Sequence, residues 1–195
     1  MTISQAHSTY IDWQGCLLPK PTILALPDNV APAAVLIVLS ADEVPEILLT
    51  RRSAHLKKHA GQIAFPGGRV DPHDENLVAT ALREAEEEVG LSQDMVSVKG
   101  YLPDMLTGTG YRITPVVAQA SLTVADFKQR LVANPDEVDA LLYVPISVLL
   151  EVAYYDHFIR EDKDISWRSW RLDYEGHVIW GATAAILHHW ANALS

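Results

Sequence analysis

The sequence has very little cysteine and lacks any long hydrophobic run. Cys16 is the one cysteine among 195 residues, so an internal disulfide is impossible and a disulfide-built secreted fold is excluded. The longest apolar run, at residues 31–39, contains a proline and falls far short of the roughly 20 residues that a membrane helix needs. The N-terminus has no basic start followed by an apolar stretch, which predicts a cytoplasmic protein without a signal peptide.

An excess of positive charge is also missing. Lysine and arginine number 15 against 25 aspartates and glutamates, which gives a net charge of −10. Electrostatic binders of nucleic acid normally have a positive excess, so the composition argues against that class. The eight histidines show no spacing typical of zinc, and the adjacent His188 and His189 are expected on different faces of a helix. An anion could still be bound by a local basic patch or through a metal ion.

The predicted elements mix strands and helices without an internal repeat. Residues 1–30 contain scattered prolines, which predicts an N-terminal arm packed on a domain that spans residues 31–195. Trp180 precedes the last predicted helix and Trp190 lies within it, and both are expected in the core. Strands are predicted at 33–40, 46–52, 96–101, 112–120, 139–144, 166–174 and 177–180, and helices at 76–89, 124–132, 146–152 and 182–194. This order predicts an α+β or α/β fold with a mixed sheet.

Three glutamates on one predicted helix form the chemical centre of the sequence. Glu84, Glu87 and Glu88 stand at i, i+3 and i+4, so they share a face in the last turn before Gly90. Their like charges repel, and the helix dipole disfavours anions at this end. A hard cation such as Mg²⁺, which prefers carboxylate and phosphate oxygens, would turn this arrangement into a binding site. A solvated acidic surface is the commoner explanation of such a run when it is taken alone.

A glycine turn precedes this helix. Residues 65–69 read Phe-Pro-Gly-Gly-Arg, and paired glycines let the backbone turn sharply and approach a ligand or metal closely. Taken alone, such a stretch indicates only a turn. A glycine turn that leads into a helix with three facing acids is a more specific combination.

These residues resemble the signature of the Nudix hydrolases. That signature runs Gly, five residues, Glu, seven residues, then Arg-Glu-apolar-any-Glu-Glu-any-Gly-apolar. Residues 83–91 fit it, and Glu75 stands at the expected distance before Arg83. Six residues, rather than five, separate Gly68 from Glu75, and this expansion resembles the coenzyme A diphosphatase branch of the family.

A second stretch resembles the same branch. Residues 48–53, 56–62 and 65–68 look like its own signature, with Lys57 where the branch usually has arginine. Arginine grips phosphate with a planar fork, whereas lysine is a point charge. Residues 110–117 and 178–181 also resemble bacterial members of this branch.

The resemblance implies a Nudix fold, a mixed sheet sandwiched between helices, and a requirement for Mg²⁺ or Mn²⁺. It implies Glu84 and Glu88 as direct metal ligands, together with the main-chain carbonyl of Gly67. Glu87 would bind metal directly or through water, or position the attacking water. An ion pair between Arg83 and Glu75 is implied as a structural tie between loop and helix.

An acid from a later loop is a further metal ligand or general base in many Nudix enzymes. Glu137 precedes a predicted strand in the corresponding part of the chain, with Asp136 as the alternative. A plain surface acid beside a turn-forming proline is an equally good interpretation. Cys16 lies far from the motif and is interpreted as an ordinary thiol without a catalytic role.

A polyanionic substrate requires local positive charge. Basic side chains that provide it close to the glycine turn are Arg51, Arg52, Lys57, Lys58 and His59, and Arg69 adds to them. A solvated basic surface is the alternative interpretation. The sequence thus predicts a substrate-binding patch within an otherwise acidic protein.

Three functional hypotheses follow. The first is a diphosphatase dependent on Mg²⁺ or Mn²⁺ that acts on coenzyme A and its thioesters. The second keeps the chemistry but takes ADP-ribose, a dinucleotide or another nucleoside diphosphate derivative. The third, a catalytically silent nucleotide-binding module, is disfavoured because all three acids of the helix are present. The expected partner is a small molecule, with no nucleic acid or membrane, and both a monomer and a homodimer remain open.

Overall fold

The structure is a computed structural model that describes residues 12–22, 30–56, 59–162 and 165–195, with the backbone alone at 160–162 and 165–167. Its strands are β1 Ala31–Leu39, β2 Glu46–Arg52, β3 Ile63–Ala64, β4 Gly67–Arg69, β5 Val96–Tyr101, β6 Met105–Leu106, β7 Tyr111–Ala120, β8 Val138–Pro145, β9 Asp156–Asp162, β10 Ile165–Tyr174 and β11 His177–Trp180. Its helices are α1 Leu77–Val89, α2 Val124–Arg130, α3 Ile146–Leu149 and α4 Ala182–Leu194, with short 3₁₀ turns at Gln93–Met95 and Val152–Tyr154. No helix in these ranges is long and apolar enough to cross a membrane.

The main sheet is mixed. Its path is β3-β2-β1-β7-β5, and β4, β6 and β8 pair with β1, β7 and β2 respectively. Strand β1 runs parallel to β7 along its whole length, whereas its other edge is shared between β4 and the beginning of β2. A strand covered on both faces is apolar throughout, as β1 is. The second half of the predicted glycine turn is β4 itself, so Gly67 and Gly68 pair with Val35 and Ala34 of β1.

Two apolar clusters cover the two faces of the main sheet. Alternate residues of β1 belong to the two clusters. Leu36 and Val38 pack towards α1 and α2, and Ile37 and Leu39 pack towards α4. The sheet therefore lies between helices on both faces, which confirms the predicted α+β architecture. Trp190 of α4 is buried as predicted.

A second, antiparallel sheet of three strands, in the order β11-β10-β9, lies against α4. The prediction that Trp180 is a core residue is wrong. Trp180 ends β11 half-buried and lines a cavity, because β11 packs beside β3 at the edge of the main sheet.

Part of the predicted N-terminal arm contacts the domain. The indole Nε1 of Trp190 donates to the Trp13 carbonyl at 3.3 Å, and the two rings meet edge to face at 6.4 Å. Leu18 forms a β-bridge with Tyr101. Residues 1–11 and 23–29 of the predicted arm lie outside the described part of the chain.

Candidate active site

Helix α1 fixes the positions of the three acids. It begins after Asn76, whose side chain accepts hydrogen bonds from two main-chain N–H groups of the first turn, and it ends at Gly90 in the left-handed conformation, with φ of 70°. Glu88 faces inward and is only 3% exposed. Glu84 is half-buried one turn earlier, while the side chain of Glu87 is 56% exposed. The predicted acidic face therefore extends from the protein interior to the solvent.

The two glycines of the turn bring its backbone against two other elements. A Cβ on Gly67 would lie 2.5 Å from the Ala34 carbonyl oxygen and 2.6 Å from the Cα of Val35, both in β1. A Cβ on Gly68 would overlap the carboxylate of Glu84. Glycine at these positions therefore lets the turn contact both β1 and the Glu84 carboxylate.

The electrostatic environment of Glu88 is unfavourable to its charge. Burial raises the pKa of Glu88 to about 8, and the neighbouring carboxylates of Glu84 and Glu137 act in the same direction, against the opposing charge of Arg52. Burial also raises the pKa of Glu84, against the opposing effect of Arg83. Glu84, Glu88 and Glu137 thus form one acidic cluster whose charges require compensation.

Two buried polar atoms, Oε2 of Glu88 in this cluster and Nε of the adjacent Arg52, have no hydrogen-bond partner among the described residues. The closest approach of these two side chains, Nη1 to Oε1, is 3.9 Å. Buried polar atoms are nearly always paired in proteins, so a lone carboxylate oxygen beside a lone guanidinium nitrogen fits a cation together with an anion. Carboxylate oxygens are the donors that Mg²⁺ prefers and that Mn²⁺ also accepts.

Arg83 holds the other acids of the helix. Its Nη1 lies 3.0 Å from Oε1 of Glu84 and 3.0 Å from Oε2 of Glu87, and its Nη2 donates to the Arg69 carbonyl at 3.2 Å. In the described ranges, no group of three or more His, Cys, Asp or Glu side chains is arranged to hold a metal ion, and Arg83 occupies the carboxylates of Glu84 and Glu87. A metal ion would therefore have to compete with Arg83 for Glu84.

The predicted ion pair between Arg83 and Glu75 is wrong, because Asp74 takes that place. Nε of Arg83 lies 2.9 Å from Oδ1 of Asp74, and this contact lowers the pKa of Asp74 well below its usual range. Asp74 is also held by the Asp71 amide and the Thr80 hydroxyl, whereas Glu75 is exposed. The spacing in the sequence could have indicated Asp74, because the five residues between Gly68 and Asp74 match the Gly-to-Glu spacing of the family signature.

A cavity of about 690 Å³ opens beside the acidic cluster. Arg52, Gly67 and Glu88 line one side of it, and Trp170 and Trp180 line the side formed by the small sheet. An adjoining cavity of about 710 Å³ shares several of these residues and extends towards Gly68 and Arg69. The size is typical of a small-molecule site.

The structure separates the predicted basic residues. Arg52 and His59 line both cavities, Arg69 lines the second, and Lys57 and Lys58 lie outside the described residues. Arg51 lines neither cavity; its charge acts on Asp139, because successive side chains of a strand point to opposite faces. His59 is held by a 2.7 Å hydrogen bond between its Nδ1 and Oε1 of Gln62.

Glu137, rather than Asp136, belongs with the acids of the helix. Its charge raises the pKa of both Glu84 and Glu88, and its carbonyl accepts from the Ser53 amide at 2.8 Å, which fixes the loop against the end of β2. Asp136 is exposed. Sequence reasoning gave no role to four residues that line the 690 Å³ cavity: Gln62, Thr109, Arg168 and Trp170. Gln62 belongs to the second motif, whereas Thr109 comes from a loop and Arg168 and Trp170 come from β10, where no local motif indicates them.

Similarity to known proteins agrees with this site. The family model of the NUDIX domain matches residues 30–162. The uncharacterized Nudix hydrolase NudL of Yersinia pestis (strain Pestoides F) is 40% identical over 163 residues, which cover 84% of this chain and 79% of NudL. The same figures hold for NudL of Yersinia pseudotuberculosis serotype O:1b (strain IP 31758).

Among solved structures, the Nudix hydrolase RenU from M. smegmatis is 25% identical, with a TM-score of 0.48, and the match covers 60% of this chain and 71% of RenU. The family assignment depends on the sequence matches, since the NUDIX model covers well over half of the chain and includes the glycine turn, α1 and Glu137. The chain therefore belongs to the Nudix hydrolase family.

Proposed function

We propose that the protein is a divalent-metal-dependent diphosphatase of coenzyme A and its thioesters. Water cleaves the diphosphate bond, and the products are adenosine 3′,5′-bisphosphate and 4′-phosphopantetheine or its acyl derivative. The observation that carries the proposal is the pair of unpartnered buried atoms, Oε2 of Glu88 and Nε of Arg52, on two residues that line the 690 Å³ cavity. A diphosphate with its metal ion supplies the missing partner to each.

The metal ligands are Glu84, Glu88 and the main-chain carbonyl of Gly67, with Glu87 binding directly or through water. Bound Mg²⁺ or Mn²⁺ supplies neutralisation of the diphosphate charge and a lowered pKa of water. Glu88 is suited to this role because its charge is costly in the folded protein until a cation compensates it. Burial also raises the pKa of Glu84, whose carboxylate lies against Gly68, so a cation would stabilise its charge in the same way.

The remaining residues act on the substrate and the water. Arg52, His59 and Arg69 line the cavities and bind the phosphate oxygens. The attacking water forms a bond to one phosphorus while the bridging P–O bond breaks, and the leaving phosphate takes the electron pair. Glu137 accepts the proton of the water as general base, a role that its place beside Glu84 and Glu88 supports.

The choice of coenzyme A is supported by the second motif. Residues 48–68 carry the resemblance to the coenzyme A branch, and side chains from this stretch line the 690 Å³ cavity. They are Thr50, Arg52, His59, Gln62, Ala64 and Phe65. A motif that forms the wall of the cavity is in a position to select the substrate.

The test is product analysis after incubation of the protein with coenzyme A and either Mg²⁺ or Mn²⁺. Glu88→Gln is the test variant, and Glu86→Gln is its matched control because Glu86 is exposed on the same helix. We expect adenosine 3′,5′-bisphosphate and phosphopantetheine from the wild type and from Glu86→Gln. Glu88→Gln is expected to lower the rate by at least about 100-fold.

Comparison of kcat/KM for coenzyme A, ADP-ribose and a dinucleotide decides between the substrate hypotheses. Cleavage of ADP-ribose or the dinucleotide with coenzyme A left intact would overturn the coenzyme A assignment and keep the diphosphatase chemistry. Nucleotide binding without turnover of any of the three would establish the silent module instead.

A further inference from the structure

Strand β10 carries a row of side chains that leads from the core to the cavity. Leu172, Trp170 and Arg168 alternate along the strand and therefore share one face. Leu172 is 1% exposed, Trp170 is half-buried against the core, and Arg168 is exposed. Trp170 and Arg168 both line the 690 Å³ cavity. The outer end of the row therefore places a positive charge at the cavity.

Two contacts of the Trp170 ring hold this charge in place. The ring stacks on His188 of α4, with centroids 3.6 Å apart and planes 17° apart. The Cζ atom of Arg168 lies 5.7 Å from the Trp170 ring centroid, within the range of a cation–π interaction. An arginine held in this way loses less side-chain freedom when it binds a ligand than a mobile surface arginine does.

Arg168 forms no ion pair with the described side chains, although the chain has ten more acids than bases. Arg171 on the same strand contrasts with it, since its Nη2 lies 3.1 Å from Oδ2 of Asp156. The cavity thus has one cation, Arg52, beside the acidic cluster and a second, Arg168, on the small sheet. Two cations on different walls suit a ligand with anionic groups at two places.

From this arrangement we infer that Arg168 is a specificity-determining residue that binds a phosphate monoester of the substrate outside the cleaved diphosphate. If the substrate is coenzyme A, the proposed function on which this assignment rests, the phosphate monoester is the 3′-phosphate of its adenosine. The NUDIX model ends at residue 162, before Arg168 and Trp170. Selection of the extra phosphate therefore belongs to a part of the chain outside the matched domain.

The first test compares coenzyme A with dephospho-coenzyme A, which lacks the 3′-phosphate. The test variant is Arg168→Gln, and Arg171→Gln is the matched control. We expect wild type and Arg171→Gln to favour coenzyme A in kcat/KM, and Arg168→Gln to lower kcat/KM for coenzyme A by about tenfold or more, as for loss of a charge-assisted hydrogen bond. The value for dephospho-coenzyme A is expected to stay unchanged. Equal losses on both substrates, or no loss on either, would overturn the inference.

The second test measures binding without turnover, so that its outcome is independent of the proposed reaction. Calorimetric titration with adenosine 3′,5′-bisphosphate and with adenosine 5′-monophosphate should show tighter binding of the bisphosphate to the wild type, and no such preference in Arg168→Gln. A preference lost in this variant, with coenzyme A left uncleaved by the wild type, would refute the proposed function alone. Cleavage of coenzyme A with no effect of Arg168→Gln on either preference would refute the inference alone.

Discussion

Glu88 is the residue whose burial has the clearest energetic consequence. Its pKa is about 4.5 in an unfolded chain and about 8 in the folded, metal-free protein. Between these values the folded state binds more protons than the unfolded state, so the free energy of unfolding falls as the pH rises from about 4.5 to 8. The group therefore stabilises the fold at low pH and loses that contribution at neutral pH.

Glu88→Gln should remove this dependence. We expect urea unfolding in the presence of EDTA to show that the free energy of unfolding of the wild type falls between pH 5 and pH 8. The fall should exceed that of the variant by roughly a few kcal/mol. Glu86→Gln serves as the control and should follow the wild type. Parallel curves for wild type and Glu88→Gln would contradict the assigned pKa.

Asp74 and Glu75 are neighbours with different expected roles. Asp74→Asn removes the charged partner of Arg83 and should lower Tm by about 5 °C, the size of a lost charge-assisted pair in a chain of this length. Glu75→Gln, at an exposed position, should leave Tm unchanged. Thermal unfolding at neutral pH distinguishes the two, and a reversed result would restore the predicted Arg83–Glu75 pair.

At the scale of elements, the glycine turn joins β1 to the acidic helix through two adjacent residues with separate functions. Gly68→Ala places a methyl group against the Glu84 carboxylate, which is the flexible end of a side chain and can move away. We therefore expect a folded protein with an about tenfold or greater loss of metal affinity, as when the support of a ligand is removed. Titration with Mn²⁺ measures this loss.

Gly67→Ala is the matched comparison, because its added methyl group meets the backbone of β1. Backbone cannot move away as a side chain does, so we expect a loss of about 1–3 kcal/mol in the free energy of unfolding. Chemical denaturation checks it. Equal stability of the two variants would show that the turn is not held against β1 as described.

The elements that the sequence predicted are those long enough to show a period. The apolar stripe and the C-terminal glycine located α1 to within a residue, and strand Glu46–Arg52 was predicted with its observed bounds. Strands β3, β4 and β6 have two or three residues, too few to show alternation. Strand β9, with the sequence DHFIRED, is mostly polar and was not predicted for that reason.

At the scale of the whole molecule, half of the site comes from one continuous stretch of sequence and half from elements that are distant from it in the chain. Residues 48–91 contain most of β2, the glycine turn and α1, so sequence motifs were sufficient to predict Arg52, His59 and Glu88 together. The other wall comes from β10, β11 and α4, which reach the cavity only through packing against the sheet. Local patterns contain no information on that packing, which explains why Arg168 was missed and Trp180 was misplaced.

Substitution of Trp13 tests the contact between the N-terminal segment and the domain. Trp13 is 7% exposed and packs on Trp190, so Trp13→Ala should lower the free energy of unfolding by about 3 kcal/mol. Because Trp13 does not line the cavities, kcat is expected to stay unchanged at temperatures where the variant is folded. Trp13→Phe, which keeps an aromatic ring, should lose less. A loss of kcat without loss of stability would place Trp13 in the active site.

The contact between Trp13 and Trp190 also has a consequence for the order of folding. The two residues are 177 positions apart in the chain, and α4 supplies Trp190. During synthesis the N-terminal segment leaves the ribosome early, yet its partner is made after every strand of both sheets. The contact between Trp13 and Trp190 can therefore form only after α4 has been released. It joins the N-terminal segment to a helix that follows both sheets in the chain.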